Sequence, residues 1–107
     1  MNLKQLEYFV SLSQTLNYTQ TAKQLYVSQT AITKQIQNLE DELNVLLFQR
    51  DKKHVSLTQA GQLFYQEAQN ILKQVELSYQ HLEAFQRGER GTLKIGFLKD
   101  FDFELLR

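Results

Sequence analysis

The chain has 107 residues, zero formal net charge and 42% hydrophobic residues, which is enough for one small domain with an appendage. It contains no cysteine, which excludes disulfides and thiolate metal sites, and His54 and His81 are far apart in sequence and do not form a ligand pair. It has neither a run of about eighteen apolar residues nor a signal-peptide pattern, so we expect a soluble, cytoplasmic protein without metal or cofactor.

The N-terminal segment has the pattern of an amphipathic helix. Asn2 is a candidate N-cap, and Gln5 stands at the capping-box position three residues later. The residues of the predicted apolar face are Leu3, Leu6, Phe9, Val10 and Leu16. Asn17–Tyr18 is predicted to end this helix.

The next segment, Thr19–Leu43, has the pattern of two helices joined by a tight turn. Ala22 and Leu25 fall on one face of the first helix, and the small side chain of Ala22 lets a second helix cross closely. Tyr26–Val27 is predicted to form the corner, and Ser28 is a good N-cap for the helix that follows. The pattern is that of a helix-turn-helix. Tyr8, Tyr18 and Tyr26 could contact phosphate through their hydroxyls, but we expect them to pack half-buried, with Tyr18 the best exception because it lies at the start of the second helix.

The second of these helices has two distinct faces. Its apolar stripe contains Ile32, Ile36, Leu39 and Leu43. The predicted DNA-contacting residues are Ser28, Gln29, Thr30, Thr33, Lys34 and Gln37. Their side chains are uncharged or basic and can reach base edges in a major groove. The acidic run Glu40–Asp41–Glu42 begins only after that face ends. The alternative is an ordinary solvated helix face.

The predicted base contacts follow from side-chain chemistry. Gln29 is expected to bond an adenine edge, and Thr33 to touch a thymine methyl group or a phosphate. Lys34 would reach guanine acceptors or phosphate, and Thr30 would lie near the DNA backbone. The first 58 residues carry six Lys/Arg and five Asp/Glu, so affinity must come from local clustering and from dimerisation.

A β-wing is predicted after this helix. Asn44 is expected to end the helix in a left-handed conformation, and Val45–Phe48 to return to the core. Leu47–Leu57 would form a hairpin. Its basic cluster is predicted to contact phosphate or the minor groove: Arg50, Lys52, Lys53 and His54. The alternative is a charged turn that aids solubility.

Thr58 is predicted to cap a long helix that extends to about Arg87. Gly61, in its first turn, marks a close approach to another backbone. The stripe positions alternate at spacings of four and three, with one polar interruption at Ser78. Those assigned to a dimer interface are Phe64, Ala68, Ile71, Val75, Leu82 and Phe85. A helix of ~40 Å is too long for so small a domain to bury, so we expect a second copy to cover it. The alternative is packing on its own domain.

The C-terminal segment has the pattern of a second domain that is cut short. Gly88–Gly91 has linker composition, and Thr92–Phe97 has the pattern of a lone strand, which cannot bury itself. The predicted organisation is therefore a winged helix-turn-helix domain over 1–58, a linker helix over 59–87, and a linker with the first strand of a missing domain over 88–107.

The order of these elements resembles a known family. The resemblance lies in three segments: LKQLEYFVSLSQTLNYTQTAKQLYVSQTAITKQIQNLEDELNVLLFQR, VSLTQAGQLFYQEAQNIL and LKIGF. Over roughly residues 1–97 the chain is similar to the N-terminal part of LysR-type transcriptional regulators. The resemblance implies a mainly α winged helix-turn-helix, an antiparallel pair of dimerising linker helices, and tetramers in a full-length form. It also implies binding of a small-molecule effector, but only by a form of the protein that includes the effector domain.

The predicted function is sequence-specific binding of double-stranded DNA by a dimeric transcription regulator. Its operator would be pseudo-palindromic, with half-sites about one helical turn of ~10 bp apart, or a multiple of that. The alternative is a helical protein–protein interaction module that dimerises through 59–87 and does not bind DNA. An enzyme is not expected, because the sequence has no nucleophile–base pair, phosphate-binding glycine loop or metal cluster.

Overall fold

The computed structural model describes residues 1–89, and the predicted strand at 92–97 lies outside them. The described elements, in chain order, are helices α1 (Leu3–Thr15), α2 (Tyr18–Leu25) and α3 (Gln29–Leu43), strands β1 (Phe48–Arg50) and β2 (Val55–Leu57), and helix α4 (Gln59–Ala84), followed by a π-helical turn at Phe85–Glu89. The two strands are antiparallel, with Gln49 opposite Ser56. The mainly α class and the winged helix-turn-helix are thereby confirmed. Within 1–89, none of the helices has the length and apolarity that crossing a membrane requires.

The chain divides into two units, Met1–Leu72 and Lys73–Arg107. The first unit extends past the predicted boundary at residue 58, because the beginning of α4 packs into the same core as the helix-turn-helix. Phe64 and Leu72 of α4 lie against that core. In the second unit, the described part is the end of α4 and the π-helical turn, where Gly88 has a φ of 92°.

Side-chain caps set the ends of the first two helices. Asn2 and Gln5 form the predicted capping box, in which the Asn2 side chain accepts from the Gln5 N–H at 2.8 Å. Helix α1 ends at Leu16 in a left-handed conformation with a φ of 53°. Asn17 then caps α2 by accepting from the Gln20 N–H at 2.9 Å. The break therefore lies at Leu16–Asn17, one residue earlier than predicted, and Tyr18 opens α2.

The turn between α2 and α3 has the predicted corner. Tyr26 is left-handed with a φ of 58°, and the Val27 N–H donates to the Ala22 carbonyl oxygen at 3.0 Å. Ser28 caps α3, since its hydroxyl accepts from the Ala31 N–H at 3.0 Å. The prediction for Tyr26 is wrong: its side chain is 94% exposed, because the left-handed cap turns it away from the core.

The core lies where α1, α2 and α3 meet the start of the wing and of α4. Its buried residues are Leu6, Tyr8, Phe9, Leu12, Ala22, Ile32, Ile36, Leu39, Leu47, Phe48 and Ala68. The ring of Phe9 lies between two others, with centroid distances of 5.5 Å to Phe48 and 5.1 Å to Phe64. Burial of each large apolar side chain contributes about 1.5–3 kcal/mol, so this cluster is the main source of stability.

The chain enters the wing through a turn that exposes part of the segment predicted to be buried. Asn44 ends α3 in the expected left-handed conformation, with a φ of 58°. Leu47 and Phe48 are buried, but Val45 and Leu46 are exposed, which corrects the prediction for Val45–Phe48. After the left-handed cap the chain passes over the surface before it reaches the core.

The carboxylate of Glu40 holds the start of β1. It accepts from the backbone N–H groups of Leu47, at 2.8 Å, and Phe48, at 3.2 Å. One of the acidic residues at the end of α3 therefore stabilises the start of the wing. Another, Glu42, pairs with the N-terminal amine of Met1, which places the beginning of α1 beside the far end of α3.

The start of α4 passes directly over the backbone that leads into β1. The hydroxyl of Thr58 caps α4 by accepting from the Gly61 N–H at 2.9 Å, and it donates to the Leu46 carbonyl oxygen at 2.7 Å. A Cβ atom at Gly61 would lie 3.1 Å from the Leu47 carbonyl carbon and closer still to its oxygen. The predicted close approach at Gly61 is confirmed.

Candidate DNA-binding surface

The polar face of α3 is open to solvent, and its opposite face is the core. Gln29, Thr30, Lys34 and Gln37 are exposed, and Thr33 is half-buried. These five residues line a shallow surface depression together with Asn38. Ile32, Ile36 and Leu39 on the other side are fully buried. The helix is therefore anchored by one face and presents the other, without any carboxylate in the depression.

Asn38 is a member of this surface that the sequence prediction missed. It lies four residues after Lys34 and next to Gln37, so it continues the same face by one helical turn. Adding the position one helical turn after Lys34 would have found it. Asn carries both a donor and an acceptor, as Gln does, and so has the chemistry of the other residues here.

Gln29 is held by a residue of the neighbouring helix. Its side-chain nitrogen donates to the hydroxyl oxygen of Thr19 at 2.9 Å, and both side chains are exposed. Thr19 is the second residue of α2 and was not among the predicted site residues. No local pattern could have indicated it, because the contact depends on how α2 and α3 cross.

The wing exposes all four of its predicted basic residues: Arg50, Lys52, Lys53 and His54. Asp51 organises the turn that carries them. Its carboxylate accepts from the backbone N–H groups of Lys53, at 3.0 Å, and His54, at 2.8 Å. These bonds hold Lys52 and Lys53 at the tip of the wing, where both residues are exposed.

Arg50 contacts α2 as well as solvent. Its guanidinium carbon lies 5.0 Å from the centre of the Tyr18 ring, which is a cation–π distance. Burial raises the pKa of the Tyr18 hydroxyl above its ordinary value, although the charge of Arg50 opposes this shift. The hydroxyl oxygen is shielded from solvent, so the contact that the structure shows for Tyr18 is the packing of its ring against Arg50.

The hydrogen bonds in the wing turn predict a pH dependence. The two backbone N–H donors lower the pKa of Asp51 below its ordinary value of 3.8. A lowered folded-state pKa means that the carboxylate stabilises the turn above the ordinary value, and that this stabilisation is lost as the pH falls through the lowered one. We expect the amide resonances of Lys53 and His54 to shift together with the Asp51 carboxyl resonance in an acid NMR titration.

Asp51→Asn is the control for this titration, because the amide oxygen can accept the same two bonds but does not titrate. Its Lys53 and His54 amides should keep constant shifts over that range. Wild-type amides that are insensitive to the ionisation of Asp51 would contradict the assignment of these bonds to the carboxylate.

The predicted dimer residues on α4 do not share one environment. Ala68 is 0% exposed within its own protomer, so it has no surface to offer a partner, and the prediction for this residue is corrected. Phe64 packs against Phe9 of the same protomer. Among the remaining residues, Ile71, Leu82 and Phe85 are exposed and Val75 is half-buried. The start of α4 therefore packs on the domain of its own protomer, which was the alternative to packing on a second copy.

Comparison with known proteins then places the chain. Residues 3–62, more than half of its length, match the family profile described as "Bacterial regulatory helix-turn-helix protein, lysR family". The chain belongs to the LysR family. The matched residues include all of the helix-turn-helix, the wing and the first turn of α4, which is the part that carries the surface described above.

The relatives of this LysR-family chain are transcription regulators. The HTH-type transcriptional regulator ClcR of Pseudomonas putida is 39% identical over 97 residues, covering 91% of this chain and 33% of ClcR. The Hca operon transcriptional activator HcaR of Escherichia coli (strain K12) is 40% identical over 106 residues, covering 99% of this chain and 36% of HcaR. These relatives are regulators and not enzymes, as was predicted for this chain. The chain spans about a third of the length of these two relatives.

Solved structures of the LysR family have the same fold. The crystal structure of a complex between BenM_DBD and catB site 1 DNA matches with a TM-score of 0.80 and 34% identity, covering 83% of this chain and 96% of that one. The long α4 that follows the wing is part of this shared architecture, which confirms the predicted fold. The chain therefore carries the winged helix-turn-helix DNA-binding domain of a LysR-type regulator.

Proposed function

We propose that this domain binds double-stranded DNA as a homodimer, with α3 of each protomer in a major groove. The observation that carries the proposal is the division of α3 into two faces. One side of the helix is fully buried, whereas the other lines an exposed depression of amides, hydroxyls and one ammonium group. Such side chains match the donors and acceptors of base edges, and no carboxylate there repels phosphate.

Each residue of the polar face has a role that fits its position. Gln29 bonds an adenine edge from the first turn of α3, and Lys34 reaches guanine acceptors or phosphate from the second. The half-buried Thr33 contacts a thymine methyl group or a phosphate, and Thr30 lies near the DNA backbone. A good bidentate base contact is worth about 1–3 kcal/mol of discrimination, so a few contacts per half-site need a second half-site for useful specificity.

Two half-sites require two copies of the domain, and α4 supplies the surface that joins them. Ile71 and Leu82 expose apolar area that a single protomer leaves in water. A symmetric dimer would fit a pseudo-palindromic operator, with half-sites about 10 bp or a multiple apart on one face of the duplex. The regulator would act in the cytoplasm. Tetramers and response to a small-molecule effector belong to a full-length form with an effector domain.

The wing adds a sequence-independent contact that a salt titration can measure. Lys53→Ala should weaken binding to all DNA sequences alike and reduce the slope of log K against log salt by about one unit, because one phosphate contact is lost. The measurement is fluorescence anisotropy over a range of salt concentrations. Lys4→Ala is the matched control, since Lys4 is exposed at the beginning of α1, beside the far end of α3. An unchanged slope in Lys53→Ala would mean that the wing does not touch DNA.

The proposal as a whole is tested by DNA binding at low salt. The wild-type chain should bind labelled duplex, Lys34→Glu should lose most of that affinity, and Lys4→Glu should keep it. Selection from a random duplex pool should then yield a pseudo-palindromic sequence. The zero net charge and the exposed apolar residues of α4 favour the alternative, a helical interaction module. Dimerisation without any DNA binding at low salt would support that alternative and refute the proposal.

A further inference from the structure

Thr19 and Gln29 join the two helices of the helix-turn-helix through their side chains. Gln29 Nε2 donates to Thr19 Oγ1 at 2.9 Å. Gln29 is the first residue of α3, so no preceding turn of that helix restrains its side chain. Thr19 is the second residue of α2, and the Asn17 cap holds the start of that helix in place. A fixed residue of α2 thus restrains a side chain that would otherwise be free.

The bond leaves Gln29 able to read a base. A side-chain amide has two N–H donors and a carbonyl oxygen, and the contact with Thr19 uses only one of the donors. The remaining N–H and the oxygen are the pair that bonds N7 and N6 of adenine. In this arrangement the amide nitrogen, and not the oxygen, bonds Thr19.

The restraint also lowers the conformational-entropy penalty of binding DNA. An exposed glutamine has several rotatable bonds, and fixing them on DNA opposes association. A side chain already held in place loses less freedom when it meets the base edge. We propose that Thr19 is the positioning residue for Gln29 and thereby a determinant of sequence specificity, an inference that rests on the proposed function.

The test uses Thr19→Val, which removes the hydroxyl with little change of shape, and Thr19→Ser, which keeps it. Affinities are measured by anisotropy for the pool-selected duplex, for all its single base-pair variants and for unrelated duplex. Gln29→Ala should abolish the preference at one base pair in each half-site. Thr19→Val should reduce the preference at that same base pair by about three- to ten-fold, the value of one hydrogen bond, and Thr19→Ser should retain it.

Three further results are expected. Thr19→Val should keep wild-type affinity for unrelated duplex and the wild-type salt slope, which separates positioning from a phosphate contact. It should add nothing to Gln29→Ala in the double variant, because its effect passes through Gln29. In the free protein, NMR should show increased mobility of the Gln29 side-chain amide in Thr19→Val but not in Thr19→Ser.

The outcomes separate this proposal from the proposed function. Should Thr19→Val weaken all duplexes equally, or add its full effect to Gln29→Ala, Thr19 acts on its own and the positioning role is refuted while DNA binding stands. An effect of Gln29→Ala on no base pair would likewise refute it. A wild-type chain without any sequence preference would overturn this inference and the specific part of the proposed function together.

Discussion

Gly61→Ala should destabilise the domain by about 3 kcal/mol, because the added methyl group has no room. A Cβ atom there would meet the Leu47 carbonyl group and lie 2.9 Å from Leu57 Cδ2. The obstacle includes backbone, which cannot move aside as a flexible side chain can. The start of α4 would have to separate from the segment that leads into β1. The measurement is the free energy of unfolding by urea, followed by circular dichroism.

The expected loss of stability is the opposite of what a glycine-to-alanine change in a helix usually causes, so the result discriminates clearly. Glycine in a helix interior is normally less stable than alanine by roughly 0.5–1 kcal/mol, so an unobstructed Gly61→Ala would stabilise α4. Gln62→Ala, at the exposed next position of the same turn, is the control and should change stability by no more than about 0.5 kcal/mol. A stable Gly61→Ala variant would show that α4 does not approach the Leu47 backbone this closely.

Ile71→Asp should convert the proposed dimer into a monomer. Ile71 is 37% exposed in a single protomer and lies on the apolar stripe of α4, where a partner helix would desolvate an aspartate without offering it a counter-charge. Sedimentation at low micromolar concentration measures the change. The loss of the second half-site should lower the affinity for a two-half-site duplex by about 10²–10⁴-fold, whereas a single half-site should be bound as before.

Asn70→Asp is the matched control for the dimer test. Asn70 is an exposed neighbour on α4, and the change adds the same charge at a polar position with almost no change of shape. It should leave the sedimentation coefficient unchanged. Circular dichroism of both variants checks that the fold is retained. An Ile71→Asp chain that stays dimeric while folded would place the interface elsewhere.

The elements that sequence patterns predicted are those set by interactions between close neighbours in the chain. The capping box of Asn2 and Gln5, the Ser28 cap and the left-handed Asn44 each depend on residues within one helical turn. The two faces of α3 follow from a period of 3.6 residues in the same way. Such features keep their form wherever the helix is placed, so the polar surface of α3 could be predicted almost completely.

The errors at Val45, Leu46 and Ala68 occurred where distant segments meet. Val45 and Leu46 look like core residues by composition, but the chain crosses the surface before Leu47 and Phe48 reach the core. Ala68 belongs to a regular apolar stripe, and nothing in that stripe says that its N-terminal part faces the protomer's own core. A period shows which residues of a helix share a face, but it does not show what the face packs against.

The sequence by itself therefore determined the main helices, the Asn2, Ser28 and Asn44 caps, the basic wing and the polar face of α3, because each of these depends on residues a few positions apart. Only the tertiary structure decided that Thr19 holds Gln29 and that Arg50 lies over Tyr18. It also decided that Glu40 anchors β1 and that the backbone close to Gly61 is that of Leu47. These contacts join residues that the crossing of the helices brings together, and their geometry is set by packing of the whole core and not by any local pattern.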